Sequence, residues 1–348
     1  MENGLEETKS RSIVAVGLDI GTMTICCARS DVDEVKMMRN VFLPIDREEI
    51  SLSELTDISF VRSEDGDIFI IGDDAFRFAN IFGQKVSRPM ERGLISPKEI
   101  SAIDVLTLMV RDIIGDTKDK EVYCSYSIPA ESIDEGRSVI YHEKVFARIL
   151  GTIGVNYTAV NEGMAIVYSE CQKEKFSGVG ISLGAGMANT CVAYKGVEVL
   201  KFSTARSGDW IDKSVSESLS IVQNRVTSIK ERYLNIEQGF TSHSDKKVRR
   251  VLEAIEYYYS ALVNYTIKKI IKEFEEKVEI EVEEKLPIVI SGGTSLPKGF
   301  LQLFQSILRG HVLPFEVSEV RQARNPLTAV ASGLLVKTLS DVESLRQK

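Results

Sequence analysis

The sequence predicts an α/β protein built from two related lobes. A β-rich strand that ends in a glycine turn and returns as a second strand occurs twice, and the two turn glycines, Gly21 and Gly184, lie 163 residues apart. Between and after these hairpins, short apolar strands alternate with helical patterns. The chain has 348 residues, which is roughly two domain equivalents. Each half therefore has enough residues for a core of its own.

The composition is that of a globular protein. Apolar residues make up 43% of the chain and charged residues 27%, with 24 glycines and 8 prolines, which excludes a disordered or collagen-like chain. The net charge of −8 argues against general binding to nucleic acid or anionic lipid. The five cysteines form no CxxC pair, so we expect buried thiols in a reducing compartment rather than a disulfide framework or a zinc site.

The sequence contains no predicted membrane segment. No apolar run reaches the roughly 18 residues that a transmembrane helix needs. The N-terminus, MENGLEETKSRS, is polar and acidic, and it has the pattern of neither a signal peptide nor an amphipathic membrane anchor. We therefore expect a cytoplasmic protein whose N-terminus makes no membrane contact.

The first half reads as strands and helices in alternation. Residues 13–21 form an apolar strand, and residues 22–30 an antiparallel return strand. Further along we expect a hairpin over 58–71 with its turn at 64–66, helices over 73–80, 97–114, 138–150 and 162–173, and strands over 121–128 and 155–160.

The second half repeats the opening theme and adds longer helices. Strands are expected over 176–184, 190–194 and 286–293, and helices over 211–235, 246–277 and 296–308. The charged run 273–285 is typical of a solvated helix end and connection. A last helix is expected over 323–339, with Pro326 in its first turn.

Three of these strands end in glycine turns, at 19–24, 182–186 and 291–294. Glycine lets backbone N–H groups approach an anion without a side-chain clash. Two such turns that face each other can clamp a polyphosphate, and a third at a helix start can hold the nucleoside. The chain has neither a GxxxxGK[ST] motif nor a GxGxxG after a strand. One glycine turn is a common feature, whereas the order of all three is far more specific.

With these motifs the chain resembles the actin-like ATPase superfamily, which includes actin, heat-shock chaperones and sugar kinases, and it is most similar to the bacterial MreB and ParM type of filament protein. The similarity covers nearly the whole chain in the family's order. The matching segments are GLDIGTMT (17–24), RPMERGLIS (88–96), NEGMAIVYS (161–169), GISLGAGMANT (180–190), SGDWID (207–212), IVISGGTSLPKG (288–299) and NPLTAVASG (325–333).

The resemblance implies two lobes around a cleft that holds a nucleotide and a divalent cation. Each lobe would contain a mixed five-stranded sheet flanked by helices. Lobe one would span residues 1–175 with a small subdomain at about 33–93. Lobe two would span residues 176–348 with a small subdomain at about 212–285.

The resemblance also implies roles for individual residues. Asp19 would contact Mg²⁺ through water, although an Asp in this position also caps turns. Glu162 would position or polarise the attacking water, although an acid in a helix first turn also complements the helix dipole. The implied nucleotide-binding residues are Gly21, Thr22, Met23, Thr24, Gly184, Ala185, Gly186, Met187, Gly208, Asp209, Lys230, Gly292, Gly293, Thr294 and Ser295.

At several positions the sequence departs from the family pattern. Ser182 stands where relatives usually carry an aspartate that organises metal and water, and Met187 and Ala188 replace the usual threonines. We therefore expect slow hydrolysis or weakened metal binding, with nucleotide binding retained. Thr227 stands where the family's E-x-x-K motif has its glutamate, so Lys230 is either a base-pocket residue or an exposed helix charge. The three histidines are interpreted as structural or surface residues.

The leading hypothesis is a cytoskeletal ATPase that binds ATP with Mg²⁺, hydrolyses it slowly and assembles into filaments, with an unidentified adaptor or cargo protein as a further partner. GTP remains an alternative nucleotide. The runner-up is a non-polymerising, nucleotide-dependent binding protein of the chaperone or reactivase type, which the absence of a substrate domain after the last helix disfavours. A small-molecule kinase is third, because no additional acid is placed as a base for a sugar hydroxyl.

Overall fold

The first sheet grows from the opening hairpin. The computed structural model describes residues 12–45, 58–82, 84–99, 101–136 and 138–347. In it, β1 (Ser12–Ile20) and β2 (Thr24–Arg29) pair antiparallel, and β3 (Val32–Arg39) follows β2. Strands β9 (Lys120–Ile128) and β10 (Asn156–Asn161) lie parallel to β1 on its other side. The order β10-β9-β1-β2-β3 is the mixed five-stranded sheet that the resemblance implies.

The second sheet repeats this arrangement around the second hairpin. Its strands are β11 (Gly178–Leu183), β12 (Ala188–Tyr194), β13 (Val197–Thr204), β14 (Leu286–Ser291) and β15 (Val317–Gln322), in the order β13-β12-β11-β14-β15. As in the first sheet, the central strand pairs antiparallel with its hairpin partner and parallel with a strand that arrives later in the chain. The two-lobed α/β prediction is therefore confirmed.

Smaller elements extend the first lobe. Strands β4 (Phe42–Ile45), β5 (Phe60–Arg62) and β6 (Ile68–Ile71) form a separate three-stranded sheet, and β7 (Met90–Glu91) pairs with β8 (Leu94–Ile95) as a short hairpin. The hairpin expected over 58–71 is confirmed, because β5 and β6 pair antiparallel around a turn at residues 64–65. The N-terminal segment up to residue 11, and residues 46–57 of the expected small subdomain, lie outside the described residues.

Nine α-helices cover the sheets in the part of the chain that the structure describes. They are α1 (Gly72–Phe82), α2 (Ala102–Ile114), α3 (Ile140–Ile153), α4 (Glu162–Glu170), α5 (Gly208–Leu219), α6 (Gln223–Tyr233), α7 (Lys246–Lys277), α8 (Phe300–Leu308) and α9 (Ala329–Arg346). Single 3₁₀ turns occur at Phe240–Ser242 and Gly293–Ser295. Among these described helices, none is long and apolar enough to cross a membrane.

The helices differ from the sequence-based expectation at their ends. The single helix expected over 211–235 is two helices, because Ser220 adopts a left-handed conformation with φ of 53° and ends the first of them. Pro326 lies in a turn before the last helix, which begins only at Ala329. The helix expected to reach residue 173 ends at Glu170, and the one expected from 97 begins at Ala102.

Two helices cross between the lobes. Helix α4 follows the last strand of the first sheet but packs on β11 and β12 of the second, whereas α9 follows the second sheet but packs on β1 and β9 of the first. The two helices also contact each other along their length. A buried cluster of small and apolar residues from α4, α9 and neighbouring strands joins them, so the lobes share one packed connection.

Glycines permit the close approach at this crossing. A Cβ atom added to Gly333 of α9 would overlap the carbonyl oxygen of Ala165 in α4, and one added to Gly180 of β11 would overlap the carbonyl oxygen of Gly163. Gly17 of β1 lies equally close to the backbone of α9. Backbone therefore touches backbone where the helices cross each other and the sheets, which only glycine allows.

Candidate functional site

The three glycine turns meet at one cleft between the two sheets. The cleft has a volume of about 650 Å³, within the usual range for small-molecule sites. The carbonyl oxygen of Gly184 links two other segments to the second turn. It accepts hydrogen bonds from the Ser207 hydroxyl (2.5 Å), the Gly208 amide (3.2 Å) and the Thr294 hydroxyl (2.7 Å). Turns that lie about 110 residues apart in sequence thus share a single acceptor.

The structure brings nearly all of the predicted site residues into this cleft. The predicted residues that line it are Asp19, Gly21, Thr22, Met23, Thr24, Glu162, Ser182, Gly184, Ala185, Gly186, Met187, Gly208, Asp209, Lys230, Gly292, Gly293 and Thr294. Ser295 is fully buried behind the third turn, where its hydroxyl donates to the Gly292 carbonyl at 2.8 Å. The side chain of Ser295 therefore supports the turn from behind.

The first glycine turn is closed by its own backbone and tied to the next strand. The Gly21 amide donates to the Thr24 carbonyl at 3.0 Å. The buried Asn40, just after β3, donates its side-chain amide to the Gly21 carbonyl at 2.9 Å and its backbone amide to the Met23 carbonyl at 2.8 Å. These contacts fix the turn's shape, so its remaining amide groups are preorganised.

The short β7–β8 hairpin lies between the first and second turns. The Gly93 amide donates to the Thr22 hydroxyl at 2.9 Å. A Cβ atom on Gly93 would overlap the side chain of Met187, and one on Gly186 would overlap the Gly93 amide. The Arg88 side chain, just before this hairpin, forms an ion pair of 3.2 Å with Asp209 of the other lobe. The segment that resembles RPM-x-x-G-x-I therefore contacts both phosphate-sized turns.

Asp19 lies near the end of β1, and its half-buried side chain lines the cleft. The Ser127 hydroxyl, at the end of β9, donates to Asp19 Oδ1 at 2.8 Å. Burial raises the pKa of Asp19 to about 6, and the hydrogen bond from Ser127 offsets only part of that rise. Asp19 therefore faces the cleft rather than capping the turn.

Glu162 is the first residue of α4, and its half-buried side chain lines the same cleft. The helix is capped by its neighbour Asn161, whose Oδ1 accepts from the Gly163 amide at 2.9 Å. Burial, and then the charge of Asp19, raise the pKa of Glu162, while the polar groups of Ser182 and Asn189 act in the opposite direction. The two carboxyl groups titrate as a pair, and this pair favours holding a proton near neutral pH.

Ser182 occupies in the second lobe the place that Asp19 occupies in the first. The two residues are 163 residues apart, the same spacing as Gly21 and Gly184. Each lies opposite an equivalent residue of its hairpin partner, Asp19 opposite Cys26 and Ser182 opposite Asn189. The cleft therefore has a carboxylate on one lobe and a hydroxyl on the other at matching positions.

The donor set suits a divalent cation that is held mainly by phosphate and water. Mg²⁺ usually takes one or two carboxylates and keeps several waters. Asp19 and Glu162 supply two half-buried carboxyl groups whose raised pKa values a nearby cation would lower. Among the described residues, no group of three or more histidine, cysteine or acidic side chains forms a ready-made metal site.

Lys230 lies in the cleft wall in a buried network and is not an exposed helix charge. Its ammonium group lies 2.7 Å from Asp212 Oδ1, and the two side chains are only 14% and 2% exposed. Lys230 also donates to the Gly208 carbonyl at 3.3 Å, and the Thr227 hydroxyl donates to Asp212 Oδ2 at 2.7 Å. Asp212 thus provides a carboxylate next to Lys230, where the glutamate of the family's E-x-x-K motif is replaced by Thr227.

Sequence reasoning missed several residues that line the cleft. These are Arg39 from β3, Asp73 from α1, and Asn189, Asp212 and Tyr259 from the second lobe. The 163-residue spacing would have identified Asn189 as the counterpart of Cys26, and Asp212 ends the SGDWID segment. The sequence around Arg39 carries no comparable signal.

None of the three histidines lines the cleft, as expected. His142 is buried against Phe146 with ring centroids 4.7 Å apart, and burial lowers its pKa to about 4. His311 contacts Asn264 at 2.9 Å. All five cysteines are buried as free thiols, and Cys26 is the one that borders the cleft among the described lining residues.

The sequence from residue 14 to residue 338 matches the model of one protein family, volactin. The chain belongs to the volactin family. No curated protein has a matching sequence. The volactin-family chain also shares its fold with known actin-like proteins. It is similar to a MamK double helical filament structure, with a TM-score of 0.68 and 17% identity over 95% of this chain and 99% of that one.

Two further solved structures show the same fold. MreB5 of Spiroplasma citri bound to AMPPNP has a TM-score of 0.68 and 13% identity over 97% of this chain and 99% of that one. The ethanolamine utilization protein EutJ from Carboxydothermus hydrogenoformans has a TM-score of 0.51 and 17% identity over 93% and 89% of the two chains. This volactin-family protein therefore has the two-lobed actin-like fold, on which unrelated functions occur.

Proposed function

We propose that this protein is an actin-like cytoskeletal ATPase, which binds ATP with Mg²⁺, hydrolyses it slowly and assembles into filaments in the cytoplasm. The observation that carries the proposal is the meeting of three distant glycine turns at one cleft with the half-buried carboxyl groups of Asp19 and Glu162. Proteins of the same fold whose structures contain AMPPNP or ADP support nucleotide as the ligand.

In this proposal each glycine turn binds a different part of the nucleotide. Backbone amides at 22–24 and 185–187 bind the phosphates from opposite sides, because the Gly21 and Gly184 amides close their own turns. Gly292, Gly293 and Thr294 hold the nucleoside, while Gly208, Asp209 and Lys230 approach the ribose and base. Because much of this contact is made by backbone atoms, GTP remains an alternative ligand that a binding competition separates from ATP.

Hydrolysis then depends on Glu162 as the group that orients water and accepts its proton. When bound, Mg²⁺ would supply positive charge that offsets the charge of the phosphates. The hydrogen bond from Ser127 would hold the Asp19 carboxyl group in place for contact with Mg²⁺ through water. Because residue 182 is a serine, the metal site has one carboxylate fewer than the relatives usually have. We therefore expect nucleotide binding with slow turnover.

Filament formation is proposed from the fold and from the similarity to a MamK filament structure. Closure of the two lobes around nucleotide would align the surfaces for head-to-tail contact. Repeated head-to-tail contacts that do not close into a ring produce a filament. An adaptor or cargo protein would couple such a filament to its task.

Two measurements on the purified chain test the proposal. Calorimetry with ATP, GTP and AMPPNP in the presence of magnesium should show uptake by the wild-type protein and loss of uptake in Asp19→Ala. Sedimentation and electron microscopy with ATP should show filaments. A soluble monomer under every nucleotide and salt condition, with nucleotide binding intact, would instead favour the non-polymerising binding protein. No uptake of any nucleotide would reject both.

A further inference from the structure

The cleft is rich in acidic side chains and poor in basic ones. The described acidic residues that line it are Asp19, Asp73, Glu162, Asp209, Asp212 and Glu231, whereas the described basic ones are Arg39 and Lys230. Lys230 is held by the buried Asp212 and by the Gly208 carbonyl. Neither phosphate-sized glycine turn carries a lysine or arginine. Of the two basic side chains in the described lining, Arg39 is therefore the one that adjoins the first turn.

The strand register places Arg39 beside the first turn. Arg39 is the last residue of β3 and lies directly opposite Thr24, where the turn enters β2. Side chains of directly opposed residues in an antiparallel pair project to the same face, with Cβ atoms about 5 Å apart. The next residue, Asn40, is bonded to the backbone of Gly21 and Met23. Arg39 is thus built into the same rigid unit as the turn.

Helix α1 orients the Arg39 side chain at the edge of the cleft. The guanidinium lies 2.7 Å from Asp73 and 5.4 Å from the centre of the Phe76 ring. The Arg39 side chain is 39% exposed and that of Asp73 84% exposed, so water competes strongly for this ion pair. A phosphate group carries more charge than one solvated carboxylate and can accept two parallel N–H bonds from a guanidinium.

We propose that Arg39 is a phosphate-binding residue, which exchanges Asp73 for the terminal phosphate of a bound nucleoside triphosphate. This inference rests on the proposed nucleotide-binding function and assigns a part in it to the end of β3 and to helix α1. The exchange requires no covalent step. The cleft would therefore bind a nucleoside triphosphate more tightly than a diphosphate. Because Asp73 lies in the first turn of α1, the exchange also couples that helix end to the bound nucleotide.

The test compares Arg39→Gln with a matched control on helix α1. Arg77 forms an ion pair with Asp74 at 3.0 Å and lies 5.5 Å from the Phe78 ring, which repeats the contacts of Arg39 outside the described lining of the cleft. Calorimetry with AMPPNP and with ADP, both with magnesium, gives two dissociation constants for each protein. We expect Arg39→Gln to weaken AMPPNP by about 10-fold and ADP much less, while Arg77→Gln changes neither.

A second variant tests the exchange itself and does not depend on the stability of the first. Asp73→Asn removes the competing carboxylate, so AMPPNP should bind about 3-fold more tightly, with no change in Asp74→Asn. Equal losses of AMPPNP and ADP affinity in Arg39→Gln, or unchanged AMPPNP affinity in both Arg39→Gln and Asp73→Asn, would overturn the assignment while leaving nucleotide binding intact. If the wild-type protein binds neither ligand, the proposed function fails and the assignment with it.

Discussion

The carboxyl groups of Asp19 and Glu162 line the same cleft, and the negative charge of Asp19 raises the pKa of Glu162 beyond the effect of burial alone. They come from different elements, a strand end and a helix start, some 140 residues apart. Two neighbouring acids that both resist ionisation destabilise the folded chain at neutral and higher pH unless a cation is present. The two acids therefore lower the stability of the folded protein until a cation binds in the cleft.

The pH dependence of stability provides the first test of this pair. Burial and Asp19 raise the pKa of Glu162 from 4.5 to about 8, so the folded chain retains a proton there that the unfolded chain releases as pH rises from 4.5. The contribution of Glu162 to the free energy of unfolding is thus greatest below pH 4.5 and declines as pH rises to about 8. Glu162→Gln removes this decline.

Thermal melts without magnesium from about pH 5 to about pH 9 measure the effect. The melting temperature of Glu162→Gln should rise relative to wild type as pH increases, and the difference should level off near the upper end. Glu64→Gln, in the exposed turn between β5 and β6, serves as the control with no such trend. A constant difference at every pH would contradict the raised pKa.

A second prediction concerns the serine that matches Asp19. Ser182→Asp adds a carboxylate beside Glu162, so it should lower stability in the absence of metal by about 1–3 kcal/mol. With magnesium and AMPPNP it should bind about 10-fold more tightly and hydrolyse ATP faster than wild type, because a second charge faces the cation. Ser182→Asn keeps the size without the charge and should show neither effect. Equal behaviour of the two variants would mean that the charge is irrelevant.

A third prediction concerns the crossing of α4 and α9. Gly333→Ala places a methyl group on the Ala165 carbonyl, so it should destabilise the protein by about 3 kcal/mol. Gly136→Ala adds the same group where no heavy atom lies within 4 Å and should leave the free energy of unfolding nearly unchanged. Urea unfolding of both variants makes the comparison. Similar stabilities would show that the helices separate easily to admit the methyl group.

A fourth prediction separates the Asp212–Lys230 pair from an ordinary surface pair. Lys230→Met leaves the buried Asp212 carboxylate without its cation and should cost about 3 kcal/mol. The double variant Lys230→Met with Asp212→Asn should recover most of that loss, because no charge remains buried. The exposed Lys213–Glu217 pair, 3.7 Å apart, provides the control, and Lys213→Met should cost under about 0.5 kcal/mol. Additive losses in the double variant would contradict a direct interaction.

Sequence reasoning predicted the hairpin repeat, the central strands and α7 because the buried positions of each element form a recognisable apolar pattern. It did not predict the edge strands β3 and β15. Neither sequence, VDEVKMMR or VSEVRQ, contains a buried residue, and both alternate too weakly to stand out. The break at Ser220 also gave no signal, since serine rarely adopts a positive φ and the choice is made by packing around it.

Residues that line the cleft could be predicted from the sequence where they belong to a turn or motif that is recognisable by itself. The glycine turns, Asp19 and Glu162 are of this kind. Arg39 and the Asp212–Thr227 contact are not, because they reach the cleft through strand register and helix packing. Such contacts depend on distances between elements, and no local pattern encodes those distances.

The glycines at the helix crossing also have an evolutionary consequence. Any change in a glycine codon that alters the residue adds a Cβ or stops translation. We therefore expect no single-nucleotide substitution to be tolerated at Gly163, Gly180 or Gly333. An added Cβ at each would overlap backbone atoms, which cannot move aside by a rotamer change. In a saturation mutagenesis library, these three positions should be the most depleted of substitutions, ahead even of the acids in the cleft.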